Sequence, residues 1–153
     1  MTELYQILGQ ITYSYSRIDF LISNIAHDFG LTTNPYLFFA KSKFEKKIDE
    51  LKNGVTKQLD NPELIKEFVT WTTKLHDLRE KRNNLLHSII LADTENEQDL
   101  MFYNYRFDKK SNLISDINQF SMDDLKALNQ SYVDTHNDGY MLWHRLKEHG
   151  VKK

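Results

Sequence analysis

Leu4, Leu8, Ile11, Tyr15, Ile18, Ile22, Ile25 and Phe29 follow one another at steps of four and three. That spacing is the seam of a helix packed nearly parallel to another. Gly30 comes directly after it and suits a left-handed C-terminal cap. Thr32 to Pro35 reads as a turn. A second helix is expected from Ser42, where Glu45 completes a capping box, and runs through Phe44, Ile48, Leu51 and Val55. Asn61-Pro62-Glu63 opens a third, with Asn61 as N-cap and proline in the first turn. Leu64, Phe68, Trp71, Leu75 and Leu78 carry that helix on to about His87.

Beyond it the period changes. Met101, Tyr103, Tyr105 and Phe107 alternate with Phe102, Asn104 and Arg106, which is strand spacing. Residues 108–112, "DKKSN", form a turn, Leu113 to Ile117 the returning strand, and Ser88 to Ala92 offers a third, short partner. Ser121 and Asp124 open a last helix carried by Leu125, Leu128, Tyr132, Tyr140, Trp143 and Leu146. Gly139 is a candidate break within it, although one glycine inside a helix is tolerated at about 1 kcal/mol. The fold expected is all-α: one domain over residues 1–153, a four-helix bundle with a small β-hairpin insertion before the last helix.

Composition narrows the function classes. A chain of 153 residues with 40% hydrophobic content can bury a core, and five glycines with two prolines leave long helices uninterrupted. A net charge of −2 excludes nucleic-acid binding through bulk positive charge, so any such contact is local. The lack of cysteine excludes disulfides and thiolate metal sites. No signal peptide is apparent in the opening residues and no apolar run reaches spanning length, so a cytoplasmic protein without membrane contact is expected.

One residue breaks the pattern. The rhythm of the third helix, Leu64, Phe68, Trp71, Leu75, Leu78, then Leu85 and Ile89, calls for an apolar residue at 82, and arginine is there. On a helical wheel of about 100° per residue, Arg82 falls within the arc of Phe68, Trp71, Leu75, Leu78, Leu85 and Leu86. His76, Arg79, Asn83 and His87 line one edge of it. An arginine on a seam often snorkels or pairs across helices, and a histidine at a helix end is often a cap. Here guanidinium, amide and imidazole gather around one small volume. Asp77 and Glu80 point elsewhere on the wheel, so the guanidinium calls for an anion from outside its helix.

"RNNLLH" at Arg82–His87 resembles the R-x-x-x-x-H signature of HEPN domains (higher eukaryotes and prokaryotes nucleotide-binding), with the polar Asn83 directly after the arginine. The position also matches: the end of a long third helix, followed by an irregular stretch and a last long helix. The resemblance implies a metal-independent endoribonuclease without cofactor. It further implies a homodimer whose third helices meet in one composite cleft, acting as a toxin held by a cognate antitoxin or as an effector of phage defence. One subgroup carries a modifiable tyrosine two residues after the histidine; Ile89 stands there in this chain.

The residue types fit that chemistry on their own terms. Cleaving RNA without a metal needs a base for the 2′-OH proton, an acid for the leaving 5′-oxygen, and positive charge at the phosphorus. His87 suits either proton transfer near neutral pH. Arg82 suits the equatorial phosphate oxygens, and Asn83 can hold the ring or an oxygen. Arg79 and His76 are the expected substrate contacts, and a small structured RNA such as a tRNA loop the expected substrate. Lys41, Lys43, Lys46, Lys47, Lys52 and Lys57 read as a solvated face, some of it able to guide RNA; Tyr103, Tyr105 and Arg106 read as strand packing that could also stack bases. His144 and Glu148, four apart, make at most half a metal site, and no metal is expected. The alternative is a non-catalytic HEPN-like module binding a nucleotide or a partner protein in the same pocket. A plain dimerisation domain would leave Arg82 unexplained.

Overall fold

In the computed structural model, which describes residues 2–41, 43–86, 88–92 and 99–149, the N-terminal seam forms α1 (Thr2–Asp28). Its seam residues Leu4, Ile11, Tyr15, Ile18, Ile22 and Ile25 are buried, together with Ile7 and Leu21. The helix ends as its glycine predicts. Gly30 has φ +71°, its N–H donates to the His27 carbonyl at 3.0 Å, and the Leu31 N–H donates to Ala26 at 2.8 Å. These two bonds satisfy carbonyls that the helix end would otherwise orphan.

The turn at Thr32–Pro35 leads into a short helix that periodicity did not reveal, α2 (Pro35–Phe39). Asn34 caps it by accepting from the Tyr36 N–H at 2.8 Å, Pro35 occupies its first turn, and Phe38 anchors it fully buried. In α3 (Phe44–Thr56), Ile48, Leu51 and Val55 point inward. The expected capping box would pair Glu45 with Ser42. Lys43 is the N-cap without a side-chain cap bond, and the Glu45 carboxylate accepts from Arg79 of the next helix at 3.2 Å. Ser42 lies outside the described residues.

The next helix, α4 (Pro62–Leu86), starts where Asn61 Oδ1 accepts from the N–H groups of Glu63 at 3.1 Å and Leu64 at 3.2 Å. Leu64, Phe68, Trp71, Leu75, Leu78 and Leu85 are buried; Leu86, placed on the same arc by the wheel, is exposed. Strands β1 (Ser88–Ala92), β2 (Asp99–Phe107) and β3 (Leu113–Ser121) form an antiparallel sheet with β2 in the centre. The hairpin turn is closed by the Asp108 N–H on the Asn112 carbonyl at 2.9 Å, and β3 extends four residues past Ile117. Leu100 and Phe102 face the core. Tyr105, Phe107, Leu113 and Ile117 face solvent, while Tyr103 is half-buried and stacks on Tyr105 with ring centroids 6.5 Å apart.

The last helix, α5 (Met122–His149), is opened by a reciprocal cap: the Asp124 N–H donates to Ser121 Oγ at 3.1 Å, and the Ser121 N–H donates to Asp124 Oδ2 at 2.8 Å. Gly139 does not break it. The Trp71 indole lies so close that a Cβ at Gly139 would stand 2.3 Å from ring atom Cζ2. The helices dominate, and the β insertion sits between α4 and α5. Around the bundle, α1 packs on α3 and α5, and α4 packs on α3 and α5 as well, while α2 covers α1. One continuous core draws on all of these helices and on Leu100 and Phe102.

Candidate functional site

Arg82 leaves α4 between the buried Leu78 and Leu85 and turns toward α1. Its guanidinium carbon sits 4.5 Å from the ring centroid of Tyr15, a cation–π contact in a partly desolvated place. Nη1 donates to Asn83 Oδ1 at 3.3 Å, so its own helix does supply one partner. Nε is buried without a hydrogen-bond partner, as is Nε of Arg79. Among the described residues no carboxylate pairs with Arg82.

The acid nearest in role, Asp19 of α1, is already committed. Lys47 of α3, only 3% exposed, donates to its two oxygens at 2.6 and 2.9 Å and to the Phe39 carbonyl at 2.9 Å. All three ammonium protons are thereby used. Burial pushes the Asp19 pKa up, against the pull of the Lys47 bond and of the Lys47 and Arg82 charges. Burial likewise raises the Tyr15 phenol, with Arg82 opposing it, so the ring stays neutral beneath the guanidinium.

These groups line a cavity of about 470 Å³. Tyr15 and Asp19 form its α1 wall, and Phe39 its α2 edge. Lys41, Lys43, Phe44, Glu45 and Lys47 close it from the α2–α3 connection and α3, and Arg79, Arg82 and Asn83 from α4. Five cations face two acids. Lys47 is matched by Asp19, Arg79 by Glu45 with Glu80 at 3.7 Å, and Lys41 by Glu50 at 2.6 Å. Arg82 and Lys43 are left without an ion pair among the described residues. In a chain of net charge −2, this is a local positive concavity, and it suits an anion with oxygens to spare, such as a phosphate.

The structure brings Arg79, Arg82 and Asn83 together as expected. It does not bring His76 with them: His76 Nε2 lies 3.2 Å from Asp49 Oδ1, away from the cavity lining. His87 lies outside the described residues. Of the lysines read as a solvated face, Lys41 and Lys43 line the cavity and Lys47 is buried. Tyr15, Asp19 and Lys47 were the residues missed as site members. A signal for the charged pair was present, since each adjoins a seam position, Ile18 and Ile48, and the two carry opposite charge.

A larger groove of about 930 Å³ runs between α4 and α5 beside Trp71; Arg145–Glu67 at 2.6 Å and Lys74–Asp138 at 3.7 Å pair on its rim, and Glu63, Lys66 and Asp77 add two acids and one cation to it. On α5, His144 packs its ring 4.7 Å from Tyr140, and Glu148 turns to His149 at 3.5 Å. Among the described residues no three His, Asp or Glu side chains converge as metal ligands, and no helix is long and apolar enough to cross a membrane. Compared with protein-family models, with curated proteins and with solved structures, the chain finds no significant match in any of the three. The reading of the site therefore rests on its residues.

Proposed function

We propose that this chain is a HEPN-like, metal-independent endoribonuclease. The observation that carries the reading is Arg82: a guanidinium on a helix seam, stacked on Tyr15, with no carboxylate partner among the described residues and a cavity of about 470 Å³ in front of it. Arg82 binds the equatorial oxygens of the scissile phosphate, and Asn83 orients an oxygen or the imidazole. His87, the residue after the last of α4, supplies proton transfer. The 2′-oxygen attacks phosphorus as its proton leaves to a base. The P–O5′ bond breaks as an acid protonates the departing oxygen, giving a cyclic 2′,3′-phosphate and a 5′-hydroxyl. A homodimer joined through α4 provides two His87 rings, one for each role. In cells such an activity fits a toxin restrained by an antitoxin, or a phage-defence effector, working in the cytoplasm on a structured RNA such as a tRNA.

The test is digestion of a mixed RNA pool by purified protein. Cleavage is expected to persist in EDTA, to stop at a site carrying a 2′-deoxy substitution, and to disappear in His87→Ala and in Arg82→Ala. Cleavage that requires added metal, or that survives both substitutions, overturns the assignment.

The rings of Tyr15, Phe39 and Phe44 around the same cations favour one second reading: a non-catalytic module that binds a nucleotide in the cavity. Under it, nucleotides raise the melting temperature of the wild type, Arg82→Ala abolishes that shift, and no RNA is cut.

A further inference from the structure

Next to the cavity lies a group of rings that the packing of the bundle leaves uncovered. Phe20 of α1 is 42% exposed, Tyr36 67% and Phe39 39%. The Phe20 centroid is 6.1 Å from that of Tyr36 and 6.2 Å from that of Phe39. Phe39 belongs to both places: it edges the cavity and completes the ring cluster. The segment that follows it in the chain carries Lys41 and Lys43, which line the cavity.

The cluster is held rigidly. Phe38 is fully buried beneath it, Asn34 caps α2, and the buried Lys47 ammonium clamps the Phe39 carbonyl at 2.9 Å. The planes of Phe20 and Tyr36 are tilted by 40° and those of Phe20 and Phe39 by 73°, so each ring offers its own face, and an exposed ring fixed in place loses little entropy when a base lies on it. Aromatic faces beside uncompensated cations form the two-part surface that single-stranded nucleic acid recognises: stacking for bases, positive charge for the backbone. A duplex hides its base faces and cannot use the first part.

We infer that Phe20, Tyr36 and Phe39 form a stacking platform that takes unpaired bases flanking the phosphate held at Arg82, so that the site selects single-stranded RNA. This rests on the nucleic-acid reading of the cavity, but it assigns specificity to residues outside the catalytic set. Stacking is indifferent to the sugar, so the platform also grips DNA of the same sequence, which lacks the 2′-hydroxyl and is not cut.

That indifference makes binding and cleavage separately measurable. The probe is a fluorescently labelled single-stranded oligodeoxynucleotide, read by anisotropy against its own duplex. The wild type is expected to bind the single strand at least about tenfold tighter than the duplex. Tyr36→Ala and Phe20→Ala each weaken the single strand about tenfold. Tyr36→Trp retains affinity, and Tyr36→Leu, which keeps apolar area but loses the π face, behaves as the alanine variant. Tyr36 is mostly exposed, so its variants test the surface without testing the fold; Phe20→Leu serves the same purpose at the more buried position.

The inference is overturned by a wild type that does not bind the single strand, by equal affinity for the duplex, or by full affinity in Tyr36→Leu. It also falls if Tyr36→Ala leaves affinity intact but changes the sedimenting mass, because the rings then cover a second copy of the chain. Tyr36-dependent binding without RNA cleavage defeats the nuclease reading alone. RNA cleavage with binding indifferent to Tyr36 and Phe20 defeats the platform alone.

Discussion

Trp71 and Arg82 stand eleven residues apart on α4, three turns and roughly 16 Å along one face, yet the donors of the two side chains are treated in opposite ways. At Trp71 the ring's own donor is met within the chain, although the buried Thr135 hydroxyl beside it has no hydrogen-bond partner among the described residues. The indole N–H donates to the Thr135 carbonyl at 2.9 Å, and Gly139 withdraws its side chain to let the ring approach α5. One turn before Arg82, the Leu78 carbonyl accepts the buried Tyr132 hydroxyl at 2.7 Å. At Arg82 the pattern stops: the guanidinium keeps an orphaned Nε, the nearby Asp19 belongs to Lys47, and a cavity remains in front. Around Trp71 one neutral hydroxyl goes unpaired, whereas at Arg82 a charged group does, and a cation left uncompensated is arranged for something that arrives from outside.

Substitutions at the two places should separate stability from binding. Trp71→Ala removes a large buried ring and leaves a void between α4 and α5, and it should lower the unfolding free energy by about 3–5 kcal/mol in urea titrations. A loss no larger than that of a surface substitution would mean that the two helices are not closed by this residue. Gly139→Ala tests the same contact from the other side. Alanine favours a helix over glycine by about 1 kcal/mol, but its methyl meets a rigid ring, so the net effect should be a loss of about 1–3 kcal/mol and a lower melting temperature. A raised melting temperature would show that α5 can slide away.

Arg82→Met should move stability least. It removes a guanidinium whose buried Nε has no partner among the described residues and whose one hydrogen bond, to Asn83, is long, and it keeps the apolar stem, so unfolding should stay within about 1 kcal/mol of the wild type, in either direction. Binding of the single-stranded oligonucleotide should fall sharply in the same variant. If Arg82→Met unfolds as easily as Gly139→Ala, the arginine is a structural strut and the contrast along α4 collapses.

Much of the frame was legible in the residues because it follows from local rules. Gly30 closes α1, Asn61 and Pro62 open α4, and Ser121 with Asp124 opens α5, each through bonds spanning a few residues. Glu45 shows where local spacing stops informing: its carboxylate accepts from Arg79 on another helix. Short α2 escaped because five residues are too few to display a period. In the site, Arg82 and Asn83 stood out as a fault in the seam, whereas His76 shared their helix edge and yet went to Asp49.

The linear pattern alone determined the four helices of the bundle, the caps that end α1 and open α4 and α5, the β insertion and the misfit arginine, since each depends on periodicity and short-range hydrogen bonding. Only the packed molecule decided which acids were free. Asp19 and Lys47 are 28 positions apart and meet because α1 and α3 pack together. That pairing removes the carboxylate that would have neutralised Arg82. Charge compensation depends on distance in space, and distance in space is what a sequence does not state.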